Sequence, residues 1–202
     1  MKNPNLNVST DLAYILGVLK GDGCVTKHIK CSAQNSIVLN VTDIKFAKSF
    51  ASSLKNIDLN PTVFSIKKRK NQIRVRAFSI MFSKWYNSLN LERIEEMLTD
   101  KRHIIAFIRG YYESEGCINQ SRKYPRCHQL TMYNTNQKLQ QMVHRFTKEV
   151  GFNFKIYHYE RSNRKLIYLL KLYKQKEISR FLEKITPCIK NGLLERRMSI
   201  NG

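Results

Sequence analysis

Residues 12–23 read LAYILGVLKGDG, an apolar run that ends in a carboxylate. Thr10 and Asp11 provide an N-cap, and Gly23 provides a stop just past the end of the run. The pattern predicts a buried helix that carries Asp22 at its C-terminal end. A carboxylate there faces the negative end of the helix macrodipole, so local helix stability does not explain it. We therefore interpret Asp22 as a functional group.

The small residues of this stretch lie on one side of the predicted helix. Ala13, Gly17 and Gly21 follow one another at intervals of four and leave a bare stripe. Because Gly in a helix interior costs roughly 1 kcal/mol relative to Ala, two glycines in three turns need a packing reason. The stripe predicts that a second backbone approaches closely.

The same pattern occurs again at residues 104–116, which read IIAFIRGYYESEG. A shift of 93 positions aligns Ala13 with Ala106, Gly17 with Gly110, Gly21 with Ser114, Asp22 with Glu115, and Gly23 with Gly116. The chain is therefore predicted to be two copies of one unit. Glu113 aligns with Lys20 and is interpreted as a surface group or a group that supports the acids.

If the two bare stripes pack on each other, Asp22 and Glu115 lie side by side at the end of the helix pair. Two carboxylates that close repel each other unless a proton or a cation lies between them. An oxygen-only site suits Mg²⁺, which binds a few carboxylates together with phosphate oxygens and water. The sequence therefore predicts a magnesium site built from both repeats.

The two motifs resemble the paired motifs of the LAGLIDADG homing endonucleases, in the single-chain form with both motifs on one polypeptide. The resemblance implies a monomeric, site-specific endonuclease for intron homing. Such an enzyme hydrolyses phosphodiester bonds in a long, asymmetric double-stranded DNA target and leaves short 3′ overhangs. It also implies that Asp22 and Glu115 are the catalytic residues and coordinate Mg²⁺, with Mn²⁺ as an alternative. By position in the motif, the backbone carbonyls of Gly21 and Ser114 are further candidate metal ligands.

The chain departs from the family pattern at one place. Members often carry Lys, Arg or Gln on the second strand of each repeat, near the attacking water. The corresponding neighbourhoods here contain Asn40 and Asn134 and no basic residue. Two interpretations stay open: the two amides orient water, or cleavage is slow or lost. In the second case the protein is an RNA intron maturase or a DNA-binding protein.

The charge of the chain points to a polyanionic partner. Its 202 residues contain 36 Lys and Arg against 15 Asp and Glu, a formal net charge of +21. No acid occurs between Asp58 and Glu92 or between Glu115 and Glu149, so the basic field belongs to matching parts of the two repeats. Double-stranded DNA is the expected partner, with intron RNA as the alternative.

The hydrophobic periodicity predicts an α+β fold of two pseudo-symmetric αββαββα repeats. This is the core order of the family, and the resemblance implies that each repeat carries a curved antiparallel sheet, that the two sheets form a DNA-binding saddle and that the motif helices pack together. The boundaries are a first repeat at 1–90, an acidic linker at 91–99 and a second repeat at 100–202. The predicted strands are 24–30, 36–41, 62–67, 72–78, 117–120, 128–133, 154–159 and 165–173. The predicted helices outside the two motifs are 44–54, 80–89, 91–99, 136–150 and 177–185.

The second hairpin of each repeat is predicted to contact DNA. Polar residues at 72, 74 and 76 alternate with apolar ones at 73, 75 and 77, so one face of that strand is positively charged. Side chains of these types read base edges or hold phosphates. The predicted contacts are Lys67, Arg69, Lys70, Gln72, Arg74, Arg76, Arg126, His128, Gln129, Lys155, Tyr157, Tyr159, Arg161 and Arg164.

Membrane and disulfide-rich classes are not indicated. No apolar run reaches the roughly 20 residues that span a bilayer. The five cysteines are an odd count, and no signal-peptide pattern precedes them. We therefore expect no membrane partner and an intracellular setting.

Overall fold

The computed structural model describes residues 3–26, 35–66, 71–120, 128–160 and 166–190. In this part of the chain, helices and strands follow one another as two runs of the same order. The first run contains α1 (Thr10–Lys20), β1 (Cys24–Thr26), β2 (Ser36–Val41), α2 (Ile44–Asn56), β3 (Thr62–Ser65), β4 (Ile73–Phe78) and α3 (Ile80–Ser88). After α4 (Leu91–Met97), the second contains α5 (Lys101–Glu115), β5 (Gly116–Gln120), β6 (His128–Asn134), α6 (Gln137–Glu149), β7 (Lys155–Tyr159), β8 (Ile167–Leu172) and α7 (Gln175–Ile185). The predicted α+β class and αββαββα order are confirmed.

Both runs build a four-stranded antiparallel sheet with the same topology. The strand orders are β1-β2-β4-β3 and β5-β6-β8-β7. In the first sheet Asn40 pairs with Arg74, and at the equivalent place in the second sheet Tyr133 pairs with Leu169. Since paired residues share a face, the registers fix which side chains lie on the face away from the core, called here the open face of each sheet.

The two motif helices pack against each other through backbone. A Cβ added at Gly17 would lie 2.1 Å from the carbonyl oxygen of Phe107, and one added at Gly110 would lie 2.3 Å from that of Tyr14. Only glycine permits such an approach, because any side chain would displace the opposite helix. The predicted contact between the two small-residue stripes is confirmed.

Helix α1 is buried on all sides, from Leu12 to Leu19. Ala13 and Leu16 face the core of the second repeat, whereas Ile15 and Val18 face the core of the first. The helix therefore belongs to both cores, which explains why its apolar residues run around the whole circumference.

The termini of α1 differ from the prediction. Ser9 is the N-cap: its Oγ accepts a hydrogen bond of 3.1 Å from the backbone N–H of Leu12. The helix ends at Lys20, where the N–H of Gly21 turns back to the carbonyl of Val18. Asp22 consequently lies past the helix rather than in its last turn. The sequence did not distinguish these ends because several residues near each terminus can cap a helix.

Most other bounds agree with the prediction to within a few residues. The alternation in β2 is confirmed, since Ile37 and Leu39 are fully buried. Helix α7 begins at Gln175 rather than at 177, because its N-cap, Lys174, makes no side-chain capping bond that would mark the start. The predicted parts of strands at 27–30, 67 and 165 lie outside the described residues.

Candidate nucleic-acid interface and active site

The acids of the two motifs meet where α1 and α5 end. A Cβ added at Gly21 would lie 2.4 Å from Cβ of Ser114 and 3.1 Å from Cγ of Glu115. Asp22 follows Gly21 directly, so this close contact between the ends of the two motifs brings the two acids into one site, called here the acid pair. Asp22 is exposed and Glu115 is half-buried.

The acid pair is electrostatically unfavourable as it stands. Burial and the nearby negative charge of Asp22 raise the pKa of Glu115 to about 7. Asp22 is exposed as a residue, but partial desolvation of its carboxyl group also raises its pKa. Lys190 opposes both shifts with its positive charge. The site therefore favours either a proton or a cation beside the two carboxylates.

Lys190, which the sequence analysis did not select, enters this site from the segment after α7. Its Nζ donates hydrogen bonds to the carbonyl oxygens of Glu113 (2.6 Å) and Ser114 (2.9 Å) at the end of α5. It lines an open cavity of about 310 Å³ together with Asp22 and Asn40. No sequence motif identifies this lysine, because 75 residues separate it from Glu115 and only the return of the chain brings it there.

Glu113 is buried, so its interpretation as a surface group is wrong, and it links the two motif helices. Its side chain accepts hydrogen bonds from the Tyr14 hydroxyl (2.5 Å), Arg109 Nε (3.2 Å) and the backbone N–H of Cys188 (2.7 Å). Because its side chain is fully shielded from solvent, losing these partners would strand a buried charge. The i,i+4 spacing of Arg109 and Glu113 was visible in the sequence. The bond from Tyr14, 99 residues away, was not.

The two asparagines proposed to orient water differ in their surroundings. Asn134 Nδ2 donates to Glu115 Oε1 at 3.3 Å, so it contacts one acid of the pair. Asn40 Oδ1 instead accepts a 2.8 Å hydrogen bond from Arg74 Nε on the open face of the first sheet. The two repeats therefore present unlike groups to the acid pair.

On the open face of the first sheet, residues 72, 74 and 76 along β4 form a polar and basic row, beside the exposed rings of Phe64 and Phe78. Gln72, Arg74 and Arg76 alternate with Val75 and Ala77, which are buried in the core, as the sequence predicted. Within the described residues, the buried atoms Gln72 Oε1 and Arg76 Nε have no hydrogen-bond partner. Such atoms are costly unless a ligand or water pairs with them, which suits a face that binds a polar partner.

The open face of the second sheet carries aromatic and aliphatic side chains together with two lysines. Tyr157 pairs with Leu169 and Tyr159 with Ile167, and Lys155 pairs with Lys171 on the same face. Gln129 also lies on this face, in a cavity of about 340 Å³. His128 lies on the opposite face with Leu130, because successive residues of a strand alternate between the two faces of the sheet. DNA contact by His128 stays a prediction, and its side chain lies on the face away from the one that carries Gln129.

Six predicted DNA contacts fall on segments that lie outside the described residues. They are Lys67, Arg69, Lys70, Arg126, Arg161 and Arg164.

The acid pair suits a divalent cation by the chemistry of its donors. Asp22 and Glu115 offer carboxylate oxygens, and the Ser114 carbonyl already accepts a hydrogen bond from an ammonium group. Among the described residues, no group of three or more His, Cys, Asp or Glu is arranged to hold a metal. Two carboxylates therefore need further oxygens from phosphate and water, as Mg²⁺ typically takes them.

The fold and the paired motifs define a two-motif LAGLIDADG architecture. Residues 102–186 match the family model of the LAGLIDADG-like domain. The match lies within the second repeat and confirms the resemblance predicted from the motifs.

Two curated relatives come from Methanocaldococcus jannaschii. The uncharacterized protein MJ0314 is 34% identical over 168 residues, which cover 81% of this chain and 62% of that protein. The uncharacterized protein MJ0398 is 25% identical over 197 residues, covering 92% of this chain and 70% of that protein. The chain thus spans less than two thirds of the length of the first relative.

Solved structures share the fold. Mesophilic variants of the homing endonuclease I-DmoI superpose with a TM-score of 0.65 at 23% identity, over 89% of this chain and 96% of theirs. I-DmoI in complex with DNA and Mn superposes with a TM-score of 0.64 at 22% identity, over 89% of this chain and 97% of that chain. Full-length DUF199/WhiA from Thermatoga maritima superposes with a TM-score of 0.64 at 19% identity, over 100% of this chain and 63% of that chain. At these identities the likeness concerns the fold.

The described residues include no helix that is both long enough and apolar enough to cross a membrane.

Proposed function

We propose that this protein is a site-specific, metal-dependent endonuclease that hydrolyses one phosphodiester bond in each strand of a double-stranded DNA target. The observation that carries the proposal is the contact of Gly21 with Ser114 and Glu115, which brings Asp22 to Glu115. Each acid comes from one repeat. In a chain of net charge +21, two carboxylates held together against their repulsion have no role in binding an anion.

The chemistry follows from the residues of the acid pair. Asp22, Glu115 and the carbonyls of Gly21 and Ser114 are the proposed ligands of Mg²⁺, with Mn²⁺ as an alternative. When bound, the metal supplies Lewis acidity at the scissile phosphate and lowers the pKa of a coordinated water. Asn134 holds Glu115 in place through its amide. Water adds across a P–O bond, so the products are a phosphate monoester and an alcohol.

The structure of I-DmoI with DNA and Mn supports both the partner and the class of metal. That structure concerns a protein that shares the fold at 22% identity, so DNA and a divalent metal are proposals for this chain. The basic open face of the first sheet supplies the charge that a phosphate backbone requires.

Recognition by unlike halves makes the proposed target asymmetric. In the shared topology, Gln72 and Arg74 of the first sheet correspond to Ile167 and Leu169 of the second. Arg and Gln hydrogen-bond to base edges, whereas aliphatic side chains contact the thymine methyl. We propose that repeat 1–90 reads one half of a long target and repeat 100–202 the other, with 91–99 as linker.

The remaining features of the proposal follow from the pairing of repeats within one chain. One polypeptide supplies both acids, so the active form is proposed to be a monomer. Cutting each strand at a shared central site would leave the short 3′ overhangs and serve the intron homing that the motif resemblance implies.

A second candidate is a member that binds nucleic acid without cutting it, such as an intron RNA maturase. The neutral Asn40 and Asn134 favour it, since no basic side chain from β2 or β6 reaches the acid pair. The exposed tyrosines of the second open face also favour it, because unpaired RNA bases stack on aromatic rings.

The test begins by selecting the duplex that the protein binds from a random DNA library in Ca²⁺. The selected duplex is then incubated with Mg²⁺ and either the wild type or the Asp22→Asn, Glu115→Gln double variant. Cutting by the wild type alone, with equal binding by both, is expected. Tight binding without cutting in Mg²⁺ or Mn²⁺ would favour the maturase or binder.

A further inference from the structure

The segment after α7 returns to the end of α5 and is anchored there by its backbone. The N–H of Cys188 donates to Glu113 Oε1 at 2.7 Å, and the carbonyl of Lys190 accepts a 3.0 Å hydrogen bond from the Tyr112 hydroxyl. Ile189 packs against the core of the first repeat. This segment, residues 187–190, is called here the strap. It joins the second repeat to the site that both repeats form.

Lys190 itself adopts a backbone conformation that is unfavourable for its residue type. Its φ is 62°, in the left-handed region that a non-glycine residue with a long side chain rarely occupies. The contacts of the strap hold the residue there. A lysine fixed in this way points to a specific requirement for its side chain at this place.

The ammonium group lies among negative groups. It hydrogen-bonds to the last carbonyls of α5, which are the negative end of that helix, and it interacts electrostatically with Asp22 and Glu115. The same carbonyl of Ser114 is a proposed metal ligand. Lys190 therefore contacts one donor and faces the two acids that a divalent cation would use.

We propose that Lys190 is a built-in cation of the acid pair and that it competes with a divalent metal for this site. The inference rests on the proposed function only in taking the acid pair as the metal site. The strap supplies one positive charge that partly balances Asp22 and Glu115 while no metal is bound. Two cations at one carbonyl oxygen repel each other, so metal binding has to displace the ammonium or overcome its field.

A simpler role for Lys190 is that it only caps the end of α5. Lys184 offers the matched control for that role, because its Nζ donates at 3.0 Å to the carbonyl of Val150 just past α6 and it is not among the charges that act on the acid pair. A cap alone affects stability. Competition affects metal affinity, so the two roles are separated by measuring metal binding directly.

The experiment measures Mn²⁺ binding to the full chain without DNA, from the loss of the free Mn²⁺ signal in electron paramagnetic resonance. Lys190→Met should bind Mn²⁺ at least about tenfold more tightly than the wild type, and Lys190→Arg should stay near the wild type because it keeps the charge. Lys184→Met should leave the affinity unchanged. Melting curves confirm that each variant is folded, and Lys190→Gln replaces the Met variant if that one does not fold.

Unchanged or weaker Mn²⁺ binding by a folded, neutral variant at position 190 would overturn the competition. So would binding that is insensitive to Asp22→Asn, because the metal would then lie elsewhere. The outcome is separate from that of the nuclease proposal. A wild type that binds Mn²⁺ at the acid pair without cutting DNA refutes the nuclease alone, whereas a cutting enzyme with unchanged Mn²⁺ affinity in Lys190→Met refutes the competition alone.

Discussion

The contact between α1 and α5 predicts that Gly17→Ala destabilises the protein, although alanine is the better helix former. The added Cβ would lie 2.1 Å from the carbonyl oxygen of Phe107 and 2.9 Å from the N–H nitrogen of Tyr111. Carbon and oxygen have to separate by about 1 Å more to reach an ordinary contact. Both obstacles are backbone atoms of a buried helix, so no side chain can move aside.

The size of the effect is the difference of two opposing contributions. Overpacking costs typically 1–3 kcal/mol, and an obstacle made of backbone places this site at about 3 kcal/mol. Replacing Gly by Ala in a helix returns about 1 kcal/mol. The net loss in the free energy of unfolding is about 2 kcal/mol, which lowers the Tm of a chain of this length by about 4–8 °C.

Thermal melts followed by circular dichroism measure this change. Ser52→Ala is the matched control, because residue 52 is exposed on α2 and only its helix propensity changes. The control should shift stability by no more than about 0.5 kcal/mol. A Tm for Gly17→Ala at or above that of the wild type would refute the packing of the two helices through glycine.

Three further predictions concern the interior, the acid pair and the open faces. Tyr14→Phe removes the hydroxyl that donates to the buried carboxylate of Glu113, so it should lower the free energy of unfolding in chemical denaturation by about 2 kcal/mol. The control Tyr168→Phe loses an exposed hydrogen bond to Gln137 and should lower it by less than about 0.5 kcal/mol. Equal losses would contradict the burial argument. Burial and the charge of Asp22 raise the pKa of Glu115 from 4.5 to about 7. Between these pH values the folded state therefore binds more protons than the unfolded state. The free energy of unfolding, measured in EDTA, should consequently fall as the pH rises from 5 to 7.5. Melts of Glu115→Gln should lack this component, and an identical pH profile would refute it. Replacing thymine by deoxyuridine in the half-site of the second sheet should weaken binding about fourfold per methyl contacted by Ile167 or Leu169, with little effect in the other half. Fluorescence anisotropy on the selected duplex measures it, and equal effects in both halves would contradict the assignment.

The order of elements was predictable because it depends on local patterns. The alternation of 72, 74 and 76 with 73, 75 and 77 placed β4 and its open face correctly, and the repeated motif predicted the helix contact through Gly17 and Gly110. These features are set by residues close together in the sequence, or by the duplication itself, so periodicity alone is sufficient to identify them.

The surroundings of the acid pair were not predictable in the same way. Tyr14 and Glu113 are far apart in the chain, and Lys190 reaches the site only because α7 ends where the strap can return to α5. The alignment of Glu113 with Lys20 suggested either a surface group or a group that supports the acids, and it did not indicate the partners that come from another helix and from the strap. Tertiary contacts of this kind leave no spacing rule in the sequence.

The sequence also did not determine which residues of β6 lie on the open face. His128 and Gln129 are adjacent polar residues, and either is compatible with a strand that reads DNA. Pairing of Asn119 with Gln129 and burial of Leu130 place Gln129 on the open face, and a shift of one residue would have exchanged the two.

The central claim is that one acid from each repeat forms a single hydrolytic site. Its most direct test is cleavage of the selected duplex, labelled separately on each strand, in Mg²⁺ by the wild type, Asp22→Asn and Glu115→Gln. We predict that the wild type cuts both strands within a few base pairs of each other and that each single variant loses most of this cleavage while binding as before. Full cleavage of both strands by either variant, or no cleavage by a wild type that binds tightly, would contradict the account.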